Sequence, residues 1–282
     1  MQTNEKRIYC IGDISIGYKG PCFSEKEILS KFRVESNEVC WNYQVIPKTA
    51  IAMPESVCVH RGEYIDIFQN EVETVRVIYG EDKNEIVMKD ICCDGKNHFV
   101  EIERSWVGRY GTNLMIKLFD LPHQMIAQKG VFLHASYIVW KGKAILFTAP
   151  KQTGKSTQAN LWKRFRGAKV VNGDRALLRK TEEGWNVYGS PYCGTSKICE
   201  NISSPLGAIV ILSQSNRNAA YMEKPLGAYK ALLSGMTFRT WDTNEVSAVA
   251  DIIKELIFNV PIIRLECLPD EEAVEVLEGM LW

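Results

Sequence analysis

Eight consecutive residues, Ala149-Pro150-Lys151-Gln152-Thr153-Gly154-Lys155-Ser156, fall one position short of the phosphate-binding pattern G-x-x-x-x-G-K-[ST]. In such a loop the backbone N–H groups around Thr153 and Gly154, with the helix that opens near Thr157, converge on phosphate oxygens. Lys155 then reaches the outer phosphates, and the Ser156 hydroxyl can ligate magnesium. The chemistry implied is the binding of a nucleoside triphosphate, ATP with Mg2+ being the expected pair. Ala149 replaces the first glycine of the pattern, so this position must avoid the positive φ that glycine adopts cheaply. A Gly-Lys-Ser triplet can also arise by chance in a strand-to-helix turn. The flanks argue against chance: Ala144-Ile145-Leu146-Phe147-Thr148 reads as a buried strand, and Thr157 to Phe165 reads as a helix.

A triphosphate site needs a carboxylate near the metal, at the end of a neighbouring strand. Asp174 fits, because it follows the apolar Ala168-Lys169-Val170-Val171 and a freely rotating glycine, and it is the single acid against nine basic residues between Lys151 and Lys180. The same carboxylate could accept the proton of an alcohol acceptor, and the sequence does not separate base from metal ligand. Asn-Gly-Asp also makes ordinary turns. Arg175, beside it, is a candidate nucleotide contact, while Lys163 to Lys169 read as the solvated end of a helix. His134, on the strand before the loop-bearing one, could assist proton transfer or be a satisfied core histidine. Gly189 to Lys197 is rich in glycine and hydroxyls, so Ser196 and Lys197 could form a second clamp on phosphate or substrate, or lie in a solvated turn. Cys193 and Cys199 lack the His partner and spacing of a nucleophile or metal ligand.

These residues must be held by an α/β framework. Val131 to Trp140 and Lys143 to Thr148 predict a hairpin about Lys141-Gly142, and Trp185 to Tyr188, Ala208 to Leu212 and Pro261 to Cys267 predict further strands. Asn244 to Asn259 carries Val246, Val249, Ile252, Ile253, Leu256 and Ile257 on one helical face. Asp270 caps a terminal helix over residues 271–280. A helix over residues 112–128 is expected to break at Asp120-Leu121-Pro122, with Asp120 capping its second part. Before it, Ile8 to about Ile102 offers short alternating segments split by turns at Gly80-Glu81-Asp82 and Asp94-Gly95-Lys96, which predicts an antiparallel β meander. The expected division is a β-rich domain over 1–110, for packing or substrate docking, and a nucleotide-binding domain over 111–282. His60 and His98 read as structural histidines among strands.

A chain of 282 residues with 46% hydrophobic content can bury a large core. Lys plus Arg and Asp plus Glu both number 34, so no overall charge recommends nucleic acid or an anionic membrane as a partner. Nine scattered cysteines with no C-x-x-C pair indicate neither a zinc site nor a disulfide framework. The polar start, and the absence of any apolar run near 18 residues, predict a cytoplasmic protein.

From about Leu133 onward the chain resembles the kinase domain of HPr kinase/phosphorylase and its relatives. The resemblance rests on His134-Ala135-Ser136, the strand and loop from Lys143 to Thr157, Val170-Val171-Asn172-Gly173-Asp174-Arg175, the Pro191 to Lys197 loop, and the ending Cys267-Leu268-Pro269-Asp270-Glu271-Glu272-Ala273-Val274. The last of these is associated with small kinases of lasso-peptide and other ribosomal-peptide gene clusters. What the resemblance implies is a phosphoenolpyruvate-carboxykinase-like P-loop kinase domain of α/β (α+β) class, and transfer from ATP to a serine of a peptide or protein. Lys155 and Ser156 would take triphosphate and magnesium, Asp174 would be the acid/base and metal carboxylate, and His134 would match the histidine before the loop. Enzymes of that family form rings, which raises homo-oligomerisation without revealing an interface. The chain departs from the family where two adjacent aspartates become Gly173-Asp174, where the acid after the loop serine becomes Thr157, and where no acidic glycine-rich metal signature is recognisable in Gly189 to Lys197. These departures point away from HPr itself and from the reverse phosphorolysis. A small-molecule or carboxykinase-like phosphotransferase, and a nucleotide-binding regulatory module without turnover, remain the alternatives.

Overall fold

The computed structural model describes residues 6–21, 28–36, 38–80, 85–107 and 117–282. The chain divides into two compact units, Met1–Asp120 and Leu121–Trp282. The division expected between residues 110 and 111, the turn residues Glu81 and Asp82, and the first part of the expected 112–128 helix lie outside the described residues.

The first unit is built on eight strands, β1 (Arg7–Ile11), β2 (Ile14–Lys19), β3 (Trp41–Lys48), β4 (Val57–Arg61), β5 (Ile65–Gln69), β6 (Thr74–Tyr79), β7 (Ile86–Cys92) and β8 (Asn97–Glu103). They form one sheet in the order β1-β2-β3-β8-β7-β6-β5-β4. From β4 to β8 it is the antiparallel meander that the alternation predicts. β3 corrects the rest of that expectation, since it lies between β2 and β8 and is parallel to both. Alternation reports which residues share a face, and that periodicity is the same for either pairing direction. Tyr9, Tyr18 and Tyr43 gather around Phe119 on the buried face.

The second unit contains β9 (Gly130–Trp140), β10 (Lys143–Thr148), β11 (Lys169–Asn172), β12 (Arg175–Thr181), β13 (Gly184–Tyr188), β14 (Ser203–Gln214), β15 (Ala219–Met222), β16 (Met236–Thr237) and β17 (Ile262–Cys267). Its helices are α1 (Leu121–Ala127), α2 (Lys155–Arg166), α3 (Pro225–Gly235), α4 (Thr243–Asn259) and α5 (Glu271–Glu278). The β9–β10 hairpin turns on Lys141 and Gly142 at φ 47° and 76°, the paired left-handed residues of a tight hairpin. β10 lies antiparallel to β9 and parallel to β14, and β14 is parallel to β17. β12 and β13 join the other halves of β9 and β14, closing a ring of strands.

β10 shows why its sequence is apolar throughout. Ala144 and Leu146 join a core that includes Leu232 of α3 and Val249, Ile253 and Leu256 of α4. Ile145 and Phe147 join the opposite core, with Ala159 and Trp162 of α2 and Val274 and Leu277 of α5. A strand covered on both faces reads as a continuous apolar run. The result is a mixed sheet with helices on both faces, an α+β arrangement. The Asp270 cap is present, its carboxylate accepting from Ala273 N at 3.1 Å. Asp120 has φ 47° and its carboxylate lies 3.2 Å from Arg76, which draws it toward the first unit's own charges. Among the described residues, no helix is long and apolar enough to cross a membrane.

Candidate phosphate-transfer site

β10 delivers the chain to the loop at Thr148, and α2 begins at Lys155. The left-handed positions of the loop are Gln152 at φ 64° and Gly154 at φ 113°. Ala149 is not among them, which is why alanine stands there without backbone strain; Gln152 instead carries a cost on the order of 1 kcal/mol. The loop is closed by Thr153 Oγ1 donating to Pro150 O at 3.0 Å, and Gly154 O accepts the helix bond from Gln158 N at 2.9 Å. Lys155 is 8% exposed, and its ammonium donates to Ala149 O at 2.9 Å and Pro150 O at 3.1 Å. Burial lowers the Lys155 ammonium from its ordinary value, with the Asp174 carboxylate opposing and Lys151 assisting. An incoming polyphosphate would replace two weak carbonyl partners with anionic oxygens. Ser156 and Thr157 are exposed in the first turn of α2.

The carboxylate reaches the loop because β9 lies between β10 on one edge and β12 on the other. Ala135 pairs with Thr148 of β10, while His134 pairs with Arg175 of β12. Ala135 N donates to Asp174 O at 2.9 Å, and Thr148 Oγ1 donates to His134 O at 3.0 Å. Asn172 fixes the turn: its Oδ1 accepts from Asp174 N and Arg175 N, both at 2.9 Å, and its Nδ2 donates to Ser190 O at 2.9 Å. The turn-capping role that Asp174 itself might have had thus falls to Asn172. His134 Nε2 stands 3.7 Å from Asp174 Oδ1, and Arg175 Nε stands 3.8 Å from Asp174 Oδ2. Burial, then the Lys155 charge, holds the His134 imidazole below its ordinary range against the pull of Asp174. Arg175 Nη1 donates to Thr237 Oγ1 at 2.8 Å.

The turn around Gly194 packs directly on this carboxylate. A Cβ on Gly173 would sit 2.0 Å from Ser196 Oγ, and one on Gly194 would sit 2.9 Å from Asp174 Cβ and Cγ. Gly194 also has φ 54°. The second aspartate of the family pattern therefore has no room at position 173. Ser196 is beside the site, but its hydroxyl donates to Cys193 O at 2.8 Å and accepts from Ile198 N at 3.2 Å, so it builds the turn. Lys197 is exposed at the end of that turn with φ 55°. Sequence reasoning missed Asn172, Ser190 and Thr148 as holders of the site; only the Asn-Gly-Asp turn signal hinted at the first.

Beside the loop lies a cavity of about 530 Å³, bounded by His134, Thr148 and Lys151, by Lys230 and Ser234 of α3, and by Arg264 of β17. Arg264 is held by Glu223 and by Ser213 Oγ at 3.1 Å. Gly235 keeps α3 close to the strands, since a Cβ there would meet Leu133 Cδ1 at 2.9 Å.

Among the described residues, no three His, Cys, Asp or Glu side chains gather as a metal site. The hard oxygen donors at hand are the Ser156 hydroxyl and the Asp174 carboxylate, which suit magnesium when phosphate oxygens and water complete its shell.

No family model matches the chain, and no curated protein matches it. Among solved structures, the Hpr(Ser) kinase/phosphatase of Coxiella burnetii aligns over 53% of this chain and 95% of its own, at 13% identity and a TM-score of 0.32. A likeness at that level does not place this chain in that family.

Proposed function

We propose that the second unit is an ATP- and magnesium-dependent phosphotransferase that moves the γ-phosphoryl group to a hydroxyl, the reading being a serine hydroxyl of a peptide or protein. The observation that carries it is the meeting of a glycine-bent loop, a buried lysine and one backbone-anchored aspartate where β10 and β12 flank β9. Loop amides and Lys155 would hold the β- and γ-phosphates, and Ser156 and Asp174 would hold the metal, which supplies charge neutralisation between the phosphates. Asp174 would orient the attacking hydroxyl and take its proton, while His134, 3.7 Å from that carboxylate, would help hold it in place. Arg175 would stabilise charge that builds on the transferring group. A ribosomal precursor peptide of the lasso type remains the preferred acceptor on the resemblance of the ending Cys267 to Val274.

A second reading has an observation of its own. The cavity that shares His134 with the Asp174 carboxylate is walled by Lys151, Lys230 and Arg264, which suits a small acceptor bearing a phosphate or carboxylate. The test for both is incubation of the full chain with γ-labelled ATP and magnesium, once with candidate peptides and once with a panel of small hydroxy acids and sugar phosphates. Label on a peptide serine supports the first reading, and label on an anionic small molecule supports the second. Nucleotide binding without transfer to any acceptor would leave a regulatory module.

A further inference from the structure

The first unit holds a chain of buried charge that the phosphotransfer reading leaves unused. Arg76, Asp90 and His98 are 5%, 3% and 5% exposed. Asp90 accepts from Arg76 Nη2 at 2.9 Å, and both of its oxygens face His98 Nδ1, at 2.9 and 3.1 Å. Arg76 is further held by Asp120 at 3.2 Å and by the carbonyls of Lys117 and Leu118. The His98 ring stacks on Tyr43, with centroids 4.2 Å apart and planes 13° apart. The imidazole is thus locked by position and by a carboxylate on one nitrogen.

Cys92 is the cross-strand neighbour of this histidine. In the β7–β8 pair it stands directly opposite His98, so the two side chains share one face of the sheet. The tight turn that follows, with Gly95 at φ 70°, folds β8 back so that the imidazole faces the sulfur across the pair. A cationic imidazole in that place favours a negatively charged sulfur. Cys92 is only partly buried, so small reagents can reach it.

We propose that Cys92 is a nucleophilic thiolate, and that it is a modification site for small disulfides in the first unit. Carboxylate, imidazole and sulfur stand in the order that activates a thiol elsewhere in protein chemistry. In the exchange, the Cys92 sulfur attacks one sulfur of a disulfide RS–SR, the new Cys92–SR bond forms, the old S–S bond breaks, and RS⁻ leaves to take a proton from solvent. The proton that left the thiol stays on His98, where Asp90 stabilises it. Cys92 is oxidised as the departing thiol is reduced.

Electrostatics agree with the geometry. Burial opposes a charged His98, but its hydrogen bonds to Asp90 and Cys92 push it up to about 9. Burial likewise raises Cys92, and the bond from His98, its charge and the Asp94 and Gly95 amides together bring the thiol below its ordinary value. The facing charges on the packed strands are Arg76, Asp90 and Asp120, with the Tyr43 phenol held neutral by burial.

Cys93 supplies the comparison, because it is adjacent and exposed. Alkylation by iodoacetamide should be followed in the folded full chain from pH 6 to 9, with Cys93→Ser and Cys92→Ser variants reporting the two thiols separately. Cys92 should react at least about tenfold faster than Cys93 at pH 7, and its rate should flatten where that of Cys93 falls about tenfold per pH unit. Hydroxyethyl disulfide should then give a mixed disulfide at Cys92 first, read by mass spectrometry. His98→Gln should restore an ordinary profile to Cys92; the wild-type pH profile decides the matter should that variant fold poorly. A Cys92 that reacts more slowly than Cys93, or with an ordinary pH profile, would overturn the proposal.

Discussion

Gly173→Ala adds one methyl group at the most crowded backbone position of the candidate site. The new Cβ would lie 2.0 Å from Ser196 Oγ and 2.6 Å from Ser196 Cβ. Ordinary contact begins near 3.4 Å, so the serine must retreat by roughly 1 Å or more. It cannot do so alone, because its hydroxyl ties Cys193 to Ile198 and Gly173 N donates to Ile198 O at 3.2 Å. Overpacking of this kind costs about 1–3 kcal/mol, which at about 2–4 °C per kcal/mol for a protein of this size is a fall in melting temperature of about 2–12 °C. The same movement pulls Gly194 off the Asp174 side chain, and a carboxylate misplaced by about 1 Å can lose about a hundredfold in transfer rate. Thermal melting, Mg·ATP titration and single-turnover transfer should be measured on wild type, Gly173→Ala, Ser196→Gly and the double variant. Ser196→Gly removes both colliding atoms, so the double variant should recover most of the stability, short of about 1 kcal/mol for the lost serine hydrogen bonds. A Gly173→Ala protein that melts and turns over like wild type, or a double variant no better than the single one, would refute the docking of the Ser196 turn on the carboxylate.

Asp174→Asn should abolish phosphoryl transfer while nucleotide affinity stays within about tenfold, since Lys155 and the loop amides remain; retained turnover would remove Asp174 from its role. In NMR titration His134 should lose its proton below its ordinary range, and Lys155→Met should move that titration upward by removing a nearby positive charge; no movement would place the ammonium farther away. His98, raised to about 9 in the fold from an ordinary 6.5, should contribute stability that is full below about pH 6.5 and is lost as pH rises through 9. That contribution is at most roughly 3 kcal/mol, so urea midpoints of wild type and His98→Gln should converge toward pH 9.5, and parallel curves would contradict the charged pair.

The site was legible where chemistry is local in sequence. The loop, its strand and its helix were readable because β10 is buried on both faces and α2 begins at a Gly-Lys-Ser triplet. Asp174 and His134 were readable as candidates, but what joins them is the antiparallel pairing of β9 with β12, and a largely apolar strand such as Val131 to Trp140 does not show which strands will flank it. Asn172 and Ser190 were hidden for a similar reason: a side chain that holds a turn by hydrogen bonds has no periodicity to betray it. Gly173 looked like lost chemistry beside the family pattern and proves to be a packing requirement set by Ser196. In the first unit, β3 entered the sheet parallel where alternation suggested a meander. His98 read as a structural histidine, and its link to Cys92 follows only once the turn at Asp94-Gly95 folds β8 back on β7.

The central claim, that the loop from Ala149 to Ser156 is a polyphosphate site completed by Asp174, is tested most directly by calorimetric titration of the full chain with ATP, with and without magnesium, beside Lys155→Ala. The account predicts saturable, magnesium-dependent binding at one site, weakened by at least about tenfold in the variant. Binding that ignores both magnesium and the lysine, or no binding at millimolar ATP, would contradict it.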